Sequence, residues 1–194
     1  MNVAQPRRKS SLQVFGVGAV GLGAILAAKE CGCDPIVAID TNTRKFELAK
    51  ALGATHCIES CADKETMLHK IREFGTDGVD TSVEAVGNVH VMQLALESTR
   101  RGWGTCVLVG VAPSGQMLEV LPFYLITGRT LKGCAFGGYK SRSQIPQLIQ
   151  HFIDTGMWGL LSSFIVKEVC LEQIVQGFDA STEGTFVRVG VRLW

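Results

Sequence analysis

A glycine-rich segment between an apolar run and a helical pattern constrains this chain more than any other feature. The apolar run is Leu12–Phe15, and the helical pattern is Val20–Glu30. The segment between them reads Gly16-Val17-Gly18-Ala19-Val20-Gly21. Where a strand turns into a helix, the first glycine takes the tight turn, the second lets a phosphate approach the backbone, and the third allows close helix packing. The free N–H groups and dipole of the helix attract phosphate. The segment therefore predicts a dinucleotide-binding βαβ unit.

An acidic residue lies where such a unit requires one. The predicted second strand, Pro35–Asp40, ends in Asp40, which is 19 residues after Gly21. A carboxylate at this point can accept both hydroxyls of the adenosine ribose, whereas a 2′-phosphate would meet a like charge. The glycine pattern alone is common in glycine-rich loops, so the prediction depends on strand, glycines, helix and acid together. This combination favours NAD over NADP as the cofactor.

The rest of the chain alternates between strand and helix patterns, with no internal repeat. The predicted helices are Lys45–Leu52, Thr66–Phe74, Val89–Ser98 and a short Pro122–Ile126, and the predicted strands are His56–Ile58, Val79–Glu84, Thr105–Val109 and Thr130–Ala135. Such alternation is typical of parallel βαβ units. We predict an α/β fold with a doubly wound parallel Rossmann sheet of six strands. Residues 12–135 form this domain, residues 1–11 remain unassigned, and residues 136–194 form a C-terminal segment.

Composition limits the possible partners. The 194 residues are 46% hydrophobic, enough for one domain with a sizeable core and an appendage. The 19 Lys and Arg against 18 Asp and Glu leave a net charge of +1, so no long-range field draws in nucleic acid or an anionic membrane. The seven cysteines are an odd number without the spacing of a disulfide framework. We expect reduced thiols, a cytoplasmic location and small-molecule or protein partners.

The N-terminal region admits a second interpretation. Arg7, Arg8 and Lys9 precede the uncharged stretch Ser10–Ala28, which could serve as a twin-arginine signal or a membrane anchor. Its glycines are poor at forming a helix and at filling a hydrophobic span. The stretch also lacks the usual small-residue cleavage site. We therefore predict a soluble motif and no membrane association.

Further motifs extend the pattern along most of the chain. They are Val14–Leu22, Asp40-Thr41-Asn42, Leu52–Thr55, Gly78–Asp80, Glu84–Gly87, Gly102–Thr105, Val109–Val111, Gly128–Thr130, Lys132-Gly133 and Phe136–Ser141. Together they resemble the cofactor-binding half of the medium-chain, zinc-dependent alcohol dehydrogenases. Gly102–Thr105 and Phe136–Ser141 look most like the class III branch, the glutathione-dependent formaldehyde dehydrogenases. The resemblance covers nearly everything from Leu12 to Leu193.

The resemblance implies a role for individual residues. Asp40 would hold the adenosine ribose with help from Lys45, and Gly16, Val17, Gly18, Ala19, Val20 and Gly21 would frame the pyrophosphate. Val86, Val109, Gly110, Val111 and Phe136 would complete the cofactor site, the last four near the nicotinamide carboxamide. Arg188 falls where the family keeps a basic residue near the pyrophosphate. A solvated charge on an edge strand is the alternative for Arg188.

The resemblance also implies an enzyme that transfers hydride between NAD and a primary alcohol or S-hydroxymethyl-glutathione. That chemistry needs Zn²⁺ with three protein ligands and an open position. The family's Cys and His ligands precede the glycine segment, but here no Cys or His lies before Gly16. The remaining cysteines and the histidines show no zinc-ligand spacing and no catalytic constellation. We therefore assign no catalytic and no metal-binding residue, and expect the zinc-carrying half to be missing and the isolated chain to be inactive. Two alternatives stay open: a module that binds NAD(H) as a sensor or inactive partner, and a truncated gene product whose dimer surface makes it an interaction protein.

Two regions suggest contacts beyond the sheet. The C-terminal segment carries apolar faces on two predicted helices, Gln144–Thr155 and Leu171–Asp179. In the family this segment returns to the catalytic domain, so we expect a remnant of that domain; the alternative is that it folds back onto the sheet. Met117–Leu121 and the apolar stretch after it match the region through which the family pairs subunits, edge strand to edge strand. An uncovered hydrophobic edge favours such pairing, which predicts a homodimer.

Overall fold

The computed structural model describes residues 2–162, 164–184 and 186–194, and only the backbone at positions 161, 162, 165 and 166. The chain divides into two compact units, Met1–Gly138 and Tyr139–Trp194. Each unit is described by itself below.

The first unit is built on six parallel strands in the order β3-β2-β1-β4-β5-β6. The strands are β1 Leu12–Phe15, β2 Ile36–Asp40, β3 His56–Glu59, β4 Thr81–Glu84, β5 Thr105–Leu108 and β6 Thr130–Gly133. The order reverses between β1 and β4, which is the switch point of a doubly wound sheet. The predicted α/β fold with six parallel strands is confirmed.

Helices connect these strands. They are α1 Ala19–Glu30, α2 Phe46–Leu52, α3 Lys64–Arg72, α4 Val89–Glu97 and α5 Pro122–Ile126. The largest difference from the predicted bounds is at α3, which begins two residues earlier than Thr66. Asp63 causes the shift, because its carboxylate accepts the N–H of Thr66 at 2.8 Å and caps the helix.

Four predicted strands are one or two residues shorter in the structure, and one of them is β2, which begins at Ile36 rather than at Pro35. Val79 makes only an isolated bridge to Thr99, so β4 begins at Thr81. The N–H groups of Val109 and Gly110 both donate to the backbone oxygen of Glu84, so the chain turns after Leu108 and β5 ends there. The strand β6, which was predicted to run to Ala135, ends at Gly133.

The core lies against both faces of β1 and β2. Leu12, Val14, Ile36 and Ala38 are buried on one face, and Phe15, Val37 and Ile39 are buried on the other. A strand covered on both faces reads as a continuous apolar run, which is the pattern the sequence shows here. Each fully buried Leu or Ile stabilises the fold by about 1.5 to 3 kcal/mol relative to an exposed one.

Hydrogen bonds and an ion pair connect the segments at the amino ends of β1 and β4. The Asp80 carboxylate accepts the backbone N–H of Ser11 at 2.9 Å and its hydroxyl at 2.8 Å. Arg100 places its Nε 2.9 Å from the other oxygen of the same carboxylate. This Asp80 cluster therefore joins the start of β1 to the segment that precedes β5.

The described residues of the second unit form three helices and two parallel strands. They are α6 Ser141–Asp154, α7 Trp158–Ser162, β7 Ile165–Cys170, α8 Ile174–Thr182 and β8 Arg188–Arg192. Both predicted helices are present, although Leu171–Gln173 forms a separate 3-10 turn before α8. Gly177 packs against Val169, where an added Cβ would lie 3.1 Å from the valine side chain.

The uncharged stretch Ser10–Ala28 forms β1, the glycine turn and most of α1. Within the described ranges, each helix is too short or too polar to reach across a bilayer.

Candidate dinucleotide site

Three glycines shape the turn between β1 and α1. Gly16 has a φ of +86°, which favours glycine, and its N–H donates to the oxygen of Ile39 at 2.8 Å. A Cβ on Gly21 would lie 1.8 Å from the oxygen of Gly16, so the helix can approach the strand only without a side chain there. A Cβ on Gly18 would meet no atom within 4 Å. The turn is thus closed on the protein side and open at Gly18.

The amino end of α1 faces this open turn. The Leu22 N–H donates to the oxygen of Gly18 at 2.8 Å, which is the first bond of the helical ladder. The N–H groups of Ala19, Val20 and Gly21 precede that bond, and no side chain caps the helix. No acidic residue lies in the first turn. Backbone donors and a positive dipole end suit a pyrophosphate.

Asp40 joins the glycine turn to the end of β2. Its Oδ2 accepts the N–H of Val17 at 2.6 Å, and its Oδ1 accepts the N–H of Asn42 at 2.8 Å. The Lys45 Nζ lies 3.8 Å from the same Oδ2, and the carboxylate side chain is only 10% exposed. An ionised carboxylate has about four acceptor sites, so it can hold these partners and still accept ribose hydroxyls. Sequence reasoning proposed the ribose role but missed the bond to Val17.

Glu84 organises the neighbouring part of the same edge, and sequence reasoning assigned it no role. It ends β4 and is fully buried. Its Oε1 accepts the N–H groups of Val86 and Gly87, each at 2.8 Å. Its backbone oxygen accepts the N–H groups of Val109 and Gly110 at 2.8 and 3.0 Å. The signal available in the sequence was an acidic residue closing a buried strand just before a glycine.

The remaining predicted residues have different surroundings. Val86 is half exposed and Val111 is 88% exposed, so both present apolar surface beside Glu84. Phe136 is exposed, with a φ of +52°, in a 3-10 turn that follows β6. Arg188 is exposed on β8, in the second unit. The first unit thus brings together all the predicted residues except Arg188 along the carboxyl edge of its sheet.

The cysteines and histidines do not assemble a metal site within the described ranges. No group of three or more His, Cys, Asp or Glu side chains there is placed to hold an ion. Burial raises the pKa of the Cys106 thiol to about 12, with a smaller contribution from the nearby Glu84. Burial also raises the pKa of Cys33. Cys106 is therefore a protonated core side chain at neutral pH rather than a thiolate ligand.

An open glycine cradle, a helix amino end and a carboxylate at the end of β2 define a dinucleotide-binding α/β domain. Residues 19–154 match the family whose description is "Zinc-binding dehydrogenase". The chain belongs to this family and corresponds to the NAD-binding half of such a dehydrogenase. The membership expected from the sequence motifs is confirmed.

Curated and solved relatives support the same assignment. An S-(hydroxymethyl)glutathione dehydrogenase from Escherichia coli O1:K1 is 40% identical over 98% of this chain and 51% of the relative. A benzyl alcohol dehydrogenase from Acinetobacter calcoaceticus superposes with a TM-score of 0.89 at 28% identity, over 98% of this chain and 51% of that one. An alcohol dehydrogenase zinc-binding domain protein from Burkholderia ambifaria gives 0.86 at 32% identity, over 97% and 50%. The chain spans about half the length of the relatives it matches.

Proposed function

We propose that this chain binds NAD(H) as the cofactor half of an alcohol dehydrogenase-type oxidoreductase. The observation that carries the proposal is Asp40, whose carboxylate lies at the carboxyl end of β2 and accepts the N–H of Val17 in the glycine turn. A carboxylate there suits two ribose hydroxyls and repels a 2′-phosphate. NAD is therefore the preferred cofactor, and NADP is disfavoured.

Each part of the cofactor meets a different set of residues in this proposal. The pyrophosphate lies against Gly16–Gly21 and the amino end of α1, while Asp40 and Lys45 hold the adenosine ribose. The nicotinamide lies beside Val86, Val109–Val111 and Phe136, whose backbone groups and apolar side chains orient the ring. The role of Arg188 near the pyrophosphate stays a prediction of the family resemblance, because Arg188 lies on β8 of the second unit. When bound, NAD supplies the ring carbon that accepts a hydride, and the protein supplies binding and orientation.

The proposed reaction is hydride transfer between NAD and a primary alcohol or S-hydroxymethyl-glutathione. Its support is the 40% identity to a relative described as an S-(hydroxymethyl)glutathione dehydrogenase, together with the class III motifs Gly102–Thr105 and Phe136–Ser141. We further propose that residues 136–194 form a remnant of the catalytic domain. A cytoplasmic location belongs to the same proposal, because all seven cysteines are free in the structure.

The purified 194-residue chain should bind NADH yet show no zinc-dependent dehydrogenase activity. Binding needs only the glycine turn, the amino end of α1 and Asp40, whereas turnover needs three metal ligands that the described residues do not assemble. NADH binding is measured by fluorescence titration. NADH formation is measured with a primary alcohol, and with formaldehyde plus glutathione, each with and without Zn²⁺.

Each result of that experiment has a definite meaning. Binding without turnover supports a cofactor-binding half, and a sensor or inactive partner would give the same pair of results. Zinc-dependent reduction of NAD by the purified chain contradicts the proposed inactivity. A chain that shows neither binding nor turnover contradicts the cofactor role and favours an interaction protein.

We also propose a homodimer formed through the apolar segment Met117–Ile126. The segment lies between β5 and β6, and β6 is an edge strand of the sheet. Residues 116–121 form no strand in the structure. The proposed pairing of subunits therefore does not start from a preformed strand at Met117–Leu121. Its exposed large side chains are Met117, Leu121, Phe123, Leu125 and Ile126. An exposed apolar cluster of this size on a soluble domain favours burial against a second copy.

The predicted dimer is tested by light scattering at micromolar concentration. Ile126 is 79% exposed, and the variant Ile126→Lys places a charge in the proposed interface, so it should shift the mass to that of a monomer. Val175→Lys is the matched control, because Val175 is 68% exposed on α8 of the second unit. A monomeric unmutated chain, or equal dissociation by both variants, argues against the interface.

A further inference from the structure

Glu84 combines features that the cofactor role of the surrounding loops does not by itself explain. Its side chain is fully buried, its Oε1 accepts two backbone N–H groups, and its Oε2 has no hydrogen-bond partner among the described residues. A buried carboxylate with one oxygen lacking a hydrogen-bond partner lowers the free energy of unfolding. A hydrophobic residue would fill β4 at lower cost. The cost points to a function for the carboxylate at this position.

The side chain and the backbone of Glu84 hold two different loops. The side chain fixes the turn after β4 through the N–H groups of Val86 and Gly87. The backbone oxygen fixes the turn after β5 through Val109 and Gly110. One residue thus sets the position of both loops that flank the proposed nicotinamide site.

The loops after β4 and β5 pack against each other, and the loop after β4 also packs against the glycine turn. The contacts are so close that a methyl group on Gly16, Gly87 or Gly110 would clash. A Cβ on Gly16 would lie 2.8 Å from a Val86 side-chain carbon. A Cβ on Gly87 would lie 2.4 Å from the oxygen of Val111, and one on Gly110 would lie 2.6 Å from Oε2 of Glu84. The turn at Val86 therefore packs against Val111 on one side and against the phosphate-binding turn on the other, and the latter is held independently by Asp40 and Ile39.

We propose that Glu84 is a positioning residue that fixes the nicotinamide-binding loops relative to the phosphate-binding turn. This inference rests on the proposed NAD(H) site. In this role Glu84 acts through the backbone of Val86 and Gly87 and through the packing of Val111. The unpaired Oε2 packs against Gly110, so the carboxylate also keeps that turn free of a side chain.

Comparing two ligands separates positioning from general stability. NADH spans both halves of the site, whereas ADP-ribose lacks the nicotinamide and uses only the phosphate and adenosine half. Glu84→Leu removes the acceptor while nearly keeping the volume. It should weaken NADH binding at least about tenfold while changing ADP-ribose binding by less than about twofold, since the buried Val86 and Gly87 donors lose their partner. Glu84→Gln keeps one acceptor oxygen and should restore the NADH to ADP-ribose ratio to near that of the unmutated chain.

The controls keep the proposal falsifiable. Val83→Ala leaves a cavity in the same strand, so it lowers stability without touching either loop, and its ligand ratio should not change. Glu84→Asp keeps the charge but withdraws it by one methylene. If the leucine variant does not fold, the aspartate variant replaces it in the same comparison of NADH with ADP-ribose. Amide hydrogen exchange of Val86 and Gly87, measured without ligand, should accelerate in the leucine and aspartate variants only.

The outcomes are distinct. A lower NADH to ADP-ribose ratio with faster exchange at Val86 and Gly87 supports the positioning role. Equal weakening of both ligands, or an unchanged ratio in Glu84→Leu and Glu84→Asp, overturns it while leaving the NAD(H) site intact. An unmutated chain that binds neither ligand overturns the proposed function as well.

Discussion

Gly21→Ala is expected to abolish measurable NADH binding and to destabilise the first unit by about 3 kcal/mol or more, the magnitude of severe overpacking. The added Cβ would lie 1.8 Å from the backbone oxygen of Gly16 and 3.2 Å from the side chain of Val14. Neither partner can move freely, because Gly16 is bonded to Ile39 and Val14 is in the central strand. The helix must therefore move away from the strand, taking its N–H groups away from the phosphate site.

Gly23→Ala provides the matched control for this prediction. Gly23 lies on the same helix, and a Cβ there would meet no atom within 4 Å. Alanine in a helix interior is more stable than glycine by roughly 0.5 to 1 kcal/mol, so this variant should gain stability and keep NADH binding. Chemical denaturation measures both stabilities, and fluorescence titration measures binding. Equal behaviour of the two variants would contradict the close approach of α1 to β1.

Asp40→Ala should weaken NADH binding about tenfold or more and should relax the preference for NADH over NADPH. Loss of a charged hydrogen-bond acceptor costs roughly 1.5 to 3 kcal/mol. The same change releases the N–H of Val17, so the phosphate-binding turn loses its fixed position. The effect on NADH therefore combines a lost ribose partner with a loosened turn, while NADPH gains from the removal of a like charge.

Two controls distinguish these contributions. Asp40→Asn keeps one acceptor oxygen but removes the charge, so it should restore part of the NADH affinity while still admitting NADPH. Asp63→Ala removes an aspartate that caps α3, so it should cost about 1 kcal/mol of stability with no change in either ligand. If the unmutated chain binds NADPH as tightly as NADH, the role given to Asp40 is wrong.

The sequence predicted those features that depend on local pattern. The apolar runs of β1 and β2, the glycine turn and Asp40 depend on residues close together along the chain, so their types and spacing were sufficient. Strand ends were less predictable, because they depend on partners that are distant in sequence. For example, β5 ends at Leu108 because the N–H groups of both Val109 and Gly110 converge on the backbone oxygen of Glu84 in the neighbouring strand.

The role of Glu84 could not be predicted from the sequence, because it also depends on residues that are distant along the chain. Its four backbone partners come from two loops, of which one follows β4 and the other follows β5. The bond between Asp40 and Val17 joins the end of β2 to the glycine turn after β1, so it depends on how the two segments pack. Arg188 lies in the second unit, and its role in the cofactor site stays a prediction.

The Asp80 cluster lies at the end of the sheet opposite the proposed cofactor site, which makes stability and ligand recognition separately adjustable in this domain. At the carboxyl end, backbone groups approach so closely that Gly16, Gly21 and Gly110 cannot accept a side chain. At the amino end, the Asp80 cluster uses charged and hydroxyl side chains. Because such side chains can be exchanged without moving the backbone, strengthening the Asp80 cluster is a route to a more heat-resistant protein with an unaltered cofactor preference.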